Sequence, residues 1–280
     1  MKAISQLNAC FTLRPPAGAP WCWLQGFIAA SVLVVGPSTA LPAPQPGGEQ
    51  AAAANKTLQV LIVTGVDYPG HHWWQTTPVL VEQLQRDPRF EVRVVQDPHF
   101  LDSSAIHRYD VIVLHFMNWK VPAPGATARA NLKKFVQGGK GLVLVHFACG
   151  AWQDWPEFLH LAGRVWDPKR RGHDPRGPFR VEIANPEHPI TQGLQPFVTD
   201  DELYTCLTGD QPVEVLATAR SKVDGQVYPM AFVLTYGQGR VFHCTLGHDA
   251  KALANPSVGE LYRRGTAWAA GHPPVFTKPN

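Results

Sequence analysis

The chain has 280 residues, 45% of them hydrophobic and 17% charged, with 25 basic against 22 acidic side chains. This composition excludes a disordered or collagen-like chain. The near balance of charge argues against a nucleic-acid surface, which needs a strongly basic face.

Residues 1–40 carry no acidic side chain, and Lys2 and Arg14 are their only charges. Gln25–Gly36 holds an apolar run of about ten residues, and Ser38-Thr39-Ala40 is a small-x-small site. Together they read as a secretory signal over residues 1–40, cleaved near Ala40. The run falls short of the roughly 20 apolar residues that a membrane span needs. The expectation is a secreted or periplasmic protein that leaves the membrane after cleavage, with an uncleaved anchor as the alternative. Residues 41–55, rich in Ala, Pro and Gly, read as a linker, residues 56–272 as the folded domain and 273–280 as a tail. Cys149, Cys206 and Cys244 remain after cleavage, so at most one disulfide forms within the chain.

From Lys56 onward strands and helices alternate. Leu58–Gly65 is a continuous apolar run, as in a strand buried on both faces. Thr77–Gln85 has helical periodicity, with Val79, Leu80, Gln83 and Leu84 on one side. Phe90–Val95 and Asp110–Phe116 read as strands. Ala126–Gln137 is a helix stopped by Gly138-Gly139. Gly141–Phe147 is a fourth strand, followed by a helix over Trp152–Ala162. The second half has strands at Phe179–Ile183, Val213–Ala217, Met230–Tyr236 and Arg240–Leu246. Gly237-Gln238-Gly239 forms a hairpin turn between the last two. Pro256–Ala270 is a closing helix with Val258, Leu261, Tyr262 and Trp268 inward. The pattern predicts an α/β fold, a doubly wound, mostly parallel sheet with additional antiparallel strands in the C-terminal half.

All twelve histidines lie beyond residue 40, and several stand where strands end. His71-His72 follow the first strand, His115 ends the third, His146 ends the fourth and His248-Asp249 follow the last. The C-terminal ends of parallel strands share one rim, so these residues are expected to converge there. Neutral imidazole is both a metal ligand and an acid–base group. We therefore expect His72, His115 and His248 as ligands of a divalent metal such as zinc or manganese, with His146 and Glu202 as catalytic groups and Asp249 orienting. His71, His99, His107, His160 and His272 read as structural, and His243 as a core histidine. His188 reads as organising a turn, within reach of the rim. Trp74, Asn118, Trp119, Trp152, His173 and Tyr204 are candidates for substrate binding. His173 lies in a glycine-rich loop that could close over the site. In DDELY (200–204) the bland alternative is a helix cap at Asp200 or Asp201.

A Walker loop and a G-x-G-x-x-G are absent, so no nucleotide cofactor is expected. Nor is there a G-x-S-x-G elbow. The stretches LIVTGVDYPGHHWWQTT, YDVIVLHFMNW, FVQGGKGLVLVHFACGAW, HPITQGL, DDELY and GQGRVFHCTLGHD resemble the ThuA-like (trehalose utilisation) family. They span about Lys56 to Gly271. The resemblance implies a flavodoxin-like fold related to class I glutamine amidotransferases. In those enzymes a nucleophilic cysteine stands at a strand-to-helix turn, here near His146 or Cys149, but the G-x-C-x-G pattern is not kept. The resemblance also implies a link to disaccharide catabolism through keto-sugars. The expected activity is that of a sugar-active enzyme on keto-glycosides, with a small carbohydrate as partner, no nucleic acid, and room for a homo-oligomer. The alternative is a non-catalytic carbohydrate-binding or accessory module.

Overall fold

The structure, a computed structural model, describes residues 57–276. The expected signal segment and linker, and the end of the expected tail, lie outside the described residues. Strand β1 (Leu58–Val63) is apolar at every position but Gln59 and sits between β2 (Phe90–Val95) and β3 (Val111–Leu114), parallel to both. Its side chains alternate between two cores, as the pleat requires. Leu58, Val60 and Ile62 join one hydrophobic cluster, while Leu61 and Val63 join the other. Strand β4 (Gly141–Val145) pairs with β3, and β11 (Gly239–Cys244) pairs with β4, again in parallel.

The order β2-β1-β3-β4-β11 is the flavodoxin-like order, and it reverses direction between β1 and β3. Helices α1 (Trp73–Gln85) and α5 (Pro256–Ala269) place Leu80, Leu84, Val258, Leu261 and Tyr262 in the first core. Helices α2 (Ala126–Gln137) and α3 (Pro156–Ala162) place Leu132, Phe135, Val136, Phe158 and Leu161 in the second. The second half extends the same sheet. The turn at Gly237-Gln238 sends β10 (Val227–Tyr236) back antiparallel to β11. Strands β9 (Glu214–Arg220), β6 (Gly177–Ile183) and β7 (Phe197–Asp201) follow, each antiparallel to its neighbour. The nine-stranded sheet thus has a parallel half and an antiparallel half.

Differences from the sequence reading have local causes. Helix α1 begins at Trp73, ahead of Thr77, because the His72 carbonyl accepts the N–H groups of Gln75 and Thr76 and closes a turn before Pro78. Helix α3 begins at Pro156, not at Trp152, whose backbone is left-handed with φ 46°. Proline then opens the helix, where its missing N–H costs nothing. The short pair β5 (Val165–Trp166) and β8 (Leu207–Thr208), strand β7, and helix α4 (Ala250–Leu253) were not expected from the pattern. Asp200 and Asp201 belong to β7 and cap no helix.

Candidate metal centre and its cavity

Four side chains meet where the sheet's carboxyl ends converge: His71, His146, Glu202 and His248. One ligand atom of each lies within 4.8 Å of all the others. The Nε2 atoms of His71 and His146 are 3.1 Å apart, and His248 Nδ1 is 3.3 Å from His71 Nε2. Glu202 Oε2 lies 3.1 Å from His248 Nδ1, 3.5 Å from His146 Nε2 and 3.9 Å from His71 Nε2.

Each member has its own placement. His71 closes a turn in which its N–H donates to the Tyr68 carbonyl at 2.9 Å, with Gly70 between them at φ 87°. That turn aims His71 inward and leaves His72 exposed at the start of α1. His146 stands at the strand-to-helix turn after β4 with φ 47°, a left-handed backbone that is uncommon outside glycine. Its Nδ1 lies 2.6 Å from the Thr245 carbonyl, which can only accept, so Nδ1 carries the proton and Nε2 presents its lone pair to the cluster. The Tyr204 hydroxyl donates to that same Nε2 at 2.8 Å.

Asp201, a fully buried carboxylate, binds the other two members. It accepts the backbone N–H groups of Glu202 (2.8 Å), Gly247 (2.7 Å) and His248 (3.0 Å), tying the end of β7 to the loop after β11. Burial is the main cause that raises its pKa, against those hydrogen bonds.

The charges follow from the packing. Burial, with His146 and His248 adding to it, pushes the His71 imidazole down to about 2, so it is neutral at ordinary pH. Burial pushes Glu202 upward, but the neighbouring His146 and His248 imidazoles outweigh that and hold it well below the usual carboxylate range. Burial likewise lowers His248, yet its contact with Glu202 prevails and the net shift is upward. Burial raises the Tyr204 phenol well above its ordinary value, so it remains a donor. The cluster is an anionic carboxylate among imidazoles, one of which turns an unprotonated nitrogen inward.

The donor set suits a divalent transition metal. A tetrahedron with bonds of about 2.1 Å has edges of about 3.4 Å; five of the six separations, 3.1 to 3.9 Å, bracket that value, and all six lie within 4.8 Å. Three imidazoles and one carboxylate are also the ligand types that zinc and manganese accept.

Above the cluster lies a cavity of about 270 Å³, walled by Tyr68, Trp119, Phe147, Trp166, His173 and Tyr204. His173 Nε2 stands 3.5 Å from Glu202 Oε1. Its Nδ1 lies 2.7 Å from the Asp174 carbonyl, which again fixes the proton on Nδ1. The loop that carries it is pinned and does not have the character of a free flap. Asp174 pairs with Arg171 and accepts from Ser221 Oγ and Lys222 N–H, and His173 bridges to Tyr204 as in a short antiparallel ladder.

The remaining expected residues lie elsewhere. His72 is exposed beside Trp74, which is itself 53% exposed and outside the cavity. His115 is fully buried, and its two ring nitrogens meet the hydroxyls of Thr77 (3.1 Å) and Thr76 (3.3 Å), clamping β3 to α1. Asp249 caps α4 through the Ala252 N–H at 2.8 Å and pairs with Arg176 at 2.5 Å. Asn118 accepts the Trp152 N–H at 2.8 Å, outside the inner cavity. Trp152 is buried in the second core, its indole N–H donating to the Pro124 carbonyl at 3.0 Å. His188 organises its turn by accepting the Ile190 N–H and packs against Trp268. Cys149 is buried in the turn after His146, and burial pushes its thiol well above the ordinary range, which suits no nucleophile. The sequence reading set His71 aside as structural and offered Asp201 only as a carboxylate or a helix cap. Adjacency to His72 gave no sign of which ring turned inward.

A flavodoxin-like sheet with a polar cluster at its carboxyl rim defines the class. The family model described as ThuA, trehalose utilisation, matches residues 59–269, and the chain belongs to that family. Its fold is similar to a ThuA-like protein from Parabacteroides merdae ATCC 43184, with TM-score 0.71 and 24% identity over 80% of this chain and 94% of that one. A ThuA-like protein from Bacteroides uniformis ATCC 8492 gives TM-score 0.62 and 21% identity over 83% and 95%. A cytoplasmic protein of Salmonella typhimurium LT2 gives 0.51 and 14% over 76% and 99%. At these identities the likenesses establish the fold. A search of curated proteins gives no match.

Proposed function

We propose that the protein is an exported, metal-dependent enzyme acting on keto-sugars or keto-glycosides. The observation that carries this reading is the convergence of three imidazoles and a carboxylate, within 4.8 Å of one another, on the floor of an aromatic cavity. His71, His146, Glu202 and His248 would hold the ion. When bound, it would supply a Lewis acid for a carbonyl oxygen or lower the pKa of a water.

The chain's own groups complete the site. With an ion on His146 Nε2, the Tyr204 hydroxyl would be free to donate to a ligand, and His173 Nε2, free of its proton, is the base that faces the cavity. Taking a proton from the carbon beside a keto group permits isomerisation or elimination of the glycosidic bond. Taking it from water permits hydrolysis. Tyr68, Trp119 and Trp166 exclude bulk water from the ring that reacts. Family membership supports the disaccharide context. Export rests on the N-terminal segment alone.

The test is elemental analysis of the untagged protein. Near-stoichiometric zinc or manganese is expected in the wild type and in His72→Ala, and its loss in His71→Ala. No metal in any preparation, or equal loss in both variants, would overturn the metal centre. Turnover of keto-glycosides by the loaded protein, abolished in His173→Ala, is then expected. Affinity without turnover would instead identify a binding module.

A further inference from the structure

The sheet has an open edge at β2. This strand is terminal in the strand order and pairs with β1 alone among the described residues. The Arg89 carbonyl accepts the Leu58 N–H at 2.7 Å, and the Val95 carbonyl accepts the Thr64 N–H at 2.9 Å. Backbone groups alternate sides along a strand, so the odd-numbered residues from 89 to 95 face β1. Val92 and Val94 therefore turn their N–H and C=O groups outward. An unpaired edge of this kind is a template for another strand.

The flank of α1 beside this edge is apolar. Trp74, Pro78 and Val81 recur at i, i+4 and i+7 and so form one stripe along the helix. Gln83 lies on the opposite flank, against Gly259 of α5. The stripe thus turns away from α5 and, because α1 packs on β2, toward the open edge. Val94 shares its side of the strand with Phe90 and Val92, which pack on the first core. Trp74 is 53% exposed and Val94 38%. Strand and stripe make one surface, a bare backbone edge beside a half-exposed apolar helix flank.

The sequence of β2, FEVRVV, identifies what fits this surface, because it is complementary to itself. Let two copies pair antiparallel about a two-fold axis at Val92. Val92 then faces its own copy, Phe90 faces Val94, and Glu91 faces Arg93. The outward backbone groups of the two strands meet in this register. Within one chain Glu91 and Arg93 already pair at 2.6 Å, so the two pairs would close into a ring of alternating charge. Moving the axis to residue 91 or 93 still matches the outward groups, but sets Glu against Glu or Arg against Arg, which is unfavourable.

We propose that β2 and the adjoining flank of α1 form a homodimer interface, with the two sheets joined edge to edge. The partner is a second copy of this chain. The interface does not depend on the sugar-active reading.

The test is sedimentation equilibrium of the purified protein at micromolar concentration, where the wild type is expected as a dimer. Arg93→Glu sets Glu against Glu91 at two symmetric places and should weaken the dimer about tenfold. The double variant Glu91→Arg/Arg93→Glu reverses both charges, is again complementary to itself, and should restore the dimer. Val92→Pro removes an outward N–H that β1 does not use, and should give a monomer, with circular dichroism reporting its fold. A monomeric wild type, or a dimer that Arg93→Glu leaves unchanged, would overturn the interface. So would weakening that the double variant fails to reverse, since rescue is the result that a general loss of stability does not produce. The charge variants decide the matter whether or not Val92→Pro folds.

Discussion

His146 takes a backbone conformation that costs a side-chain-bearing residue about 1–2 kcal/mol. The turn after β4 holds it there because that geometry brings Nε2 to the cluster and Nδ1 to the Thr245 carbonyl. Replacement by Ala and by Gly removes the same ring, so their difference isolates the backbone. His146→Gly should be more stable than His146→Ala by about 1 kcal/mol in urea unfolding, the reverse of the ordinary preference inside regular structure. The positioning role of Asp201 gives a second expectation. Asp201→Asn places an amide N–H₂ among three N–H donors and should weaken metal binding by about 10–100-fold, the usual effect of disturbing the groups that hold ligands in place. Asp249→Asn keeps its capping oxygen and should leave metal affinity within about twofold. Competition with a chromophoric chelator measures both. At this scale the sequence announced a histidine-rich rim, with His146 and His248 legible as polar residues at strand ends and Glu202 as a carboxylate of DDELY. The choice between His71 and His72 was not, because one turn about Gly70 decides it. Nor was the clamp role of His115, since its threonine partners lie in a helix expected to begin only at Thr77.

Among elements, α5 lies against the sheet at Gly265. A Cβ there would fall 2.1 Å from the ring of Phe242 on β11, a ring held in the first core. Alanine is the better helix former by about 1 kcal/mol, but the clash requires the helix to shift, and overpacking costs about 1–3 kcal/mol. Gly265→Ala should therefore lower stability despite its propensity, read as a reduced urea midpoint at unchanged slope. The parallel strands could be read from apolar runs because burial on both faces leaves no other pattern. Strand β7 could not. Its sequence, FVTDD, is short and polar with Val198 facing solvent, and it pairs on one side only, so it carries no alternation to detect. That strand delivers Glu202 and Asp201, which explains why Glu202 could be named from the sequence while its place among the imidazoles, and the bracing by Asp201, emerged only with the fold.

The whole molecule should lose stability in acid through its buried histidines. Burial pushes His243 down to about 4 from an ordinary 6.5, with only its Nδ1 engaged, at the Ala162 carbonyl, and Nε2 buried without a partner. Below pH 6.5 the unfolded chain takes up a proton that the folded one refuses. Stability is thus full above that pH and falls as pH drops toward 4, by roughly 3 kcal/mol in total for this group. His243→Leu should flatten that part of the profile between pH 7 and 4, whatever its effect at neutral pH.

The histidine pair at the first and last parallel strands has a further consequence. His71 and His248 are separated by 177 positions, yet their rings touch. An ion between them would close nearly the whole folded chain into a loop, as a covalent cross-link would, and the contact exists only once the sheet has formed from β1 to β11. Occupancy would then act as a latch on the fold. At a free metal concentration 100 times Kd it would add about 2.7 kcal/mol to the unfolding free energy. Melting temperature should rise with metal and fall with chelator, while His71→Ala melts at one temperature in either.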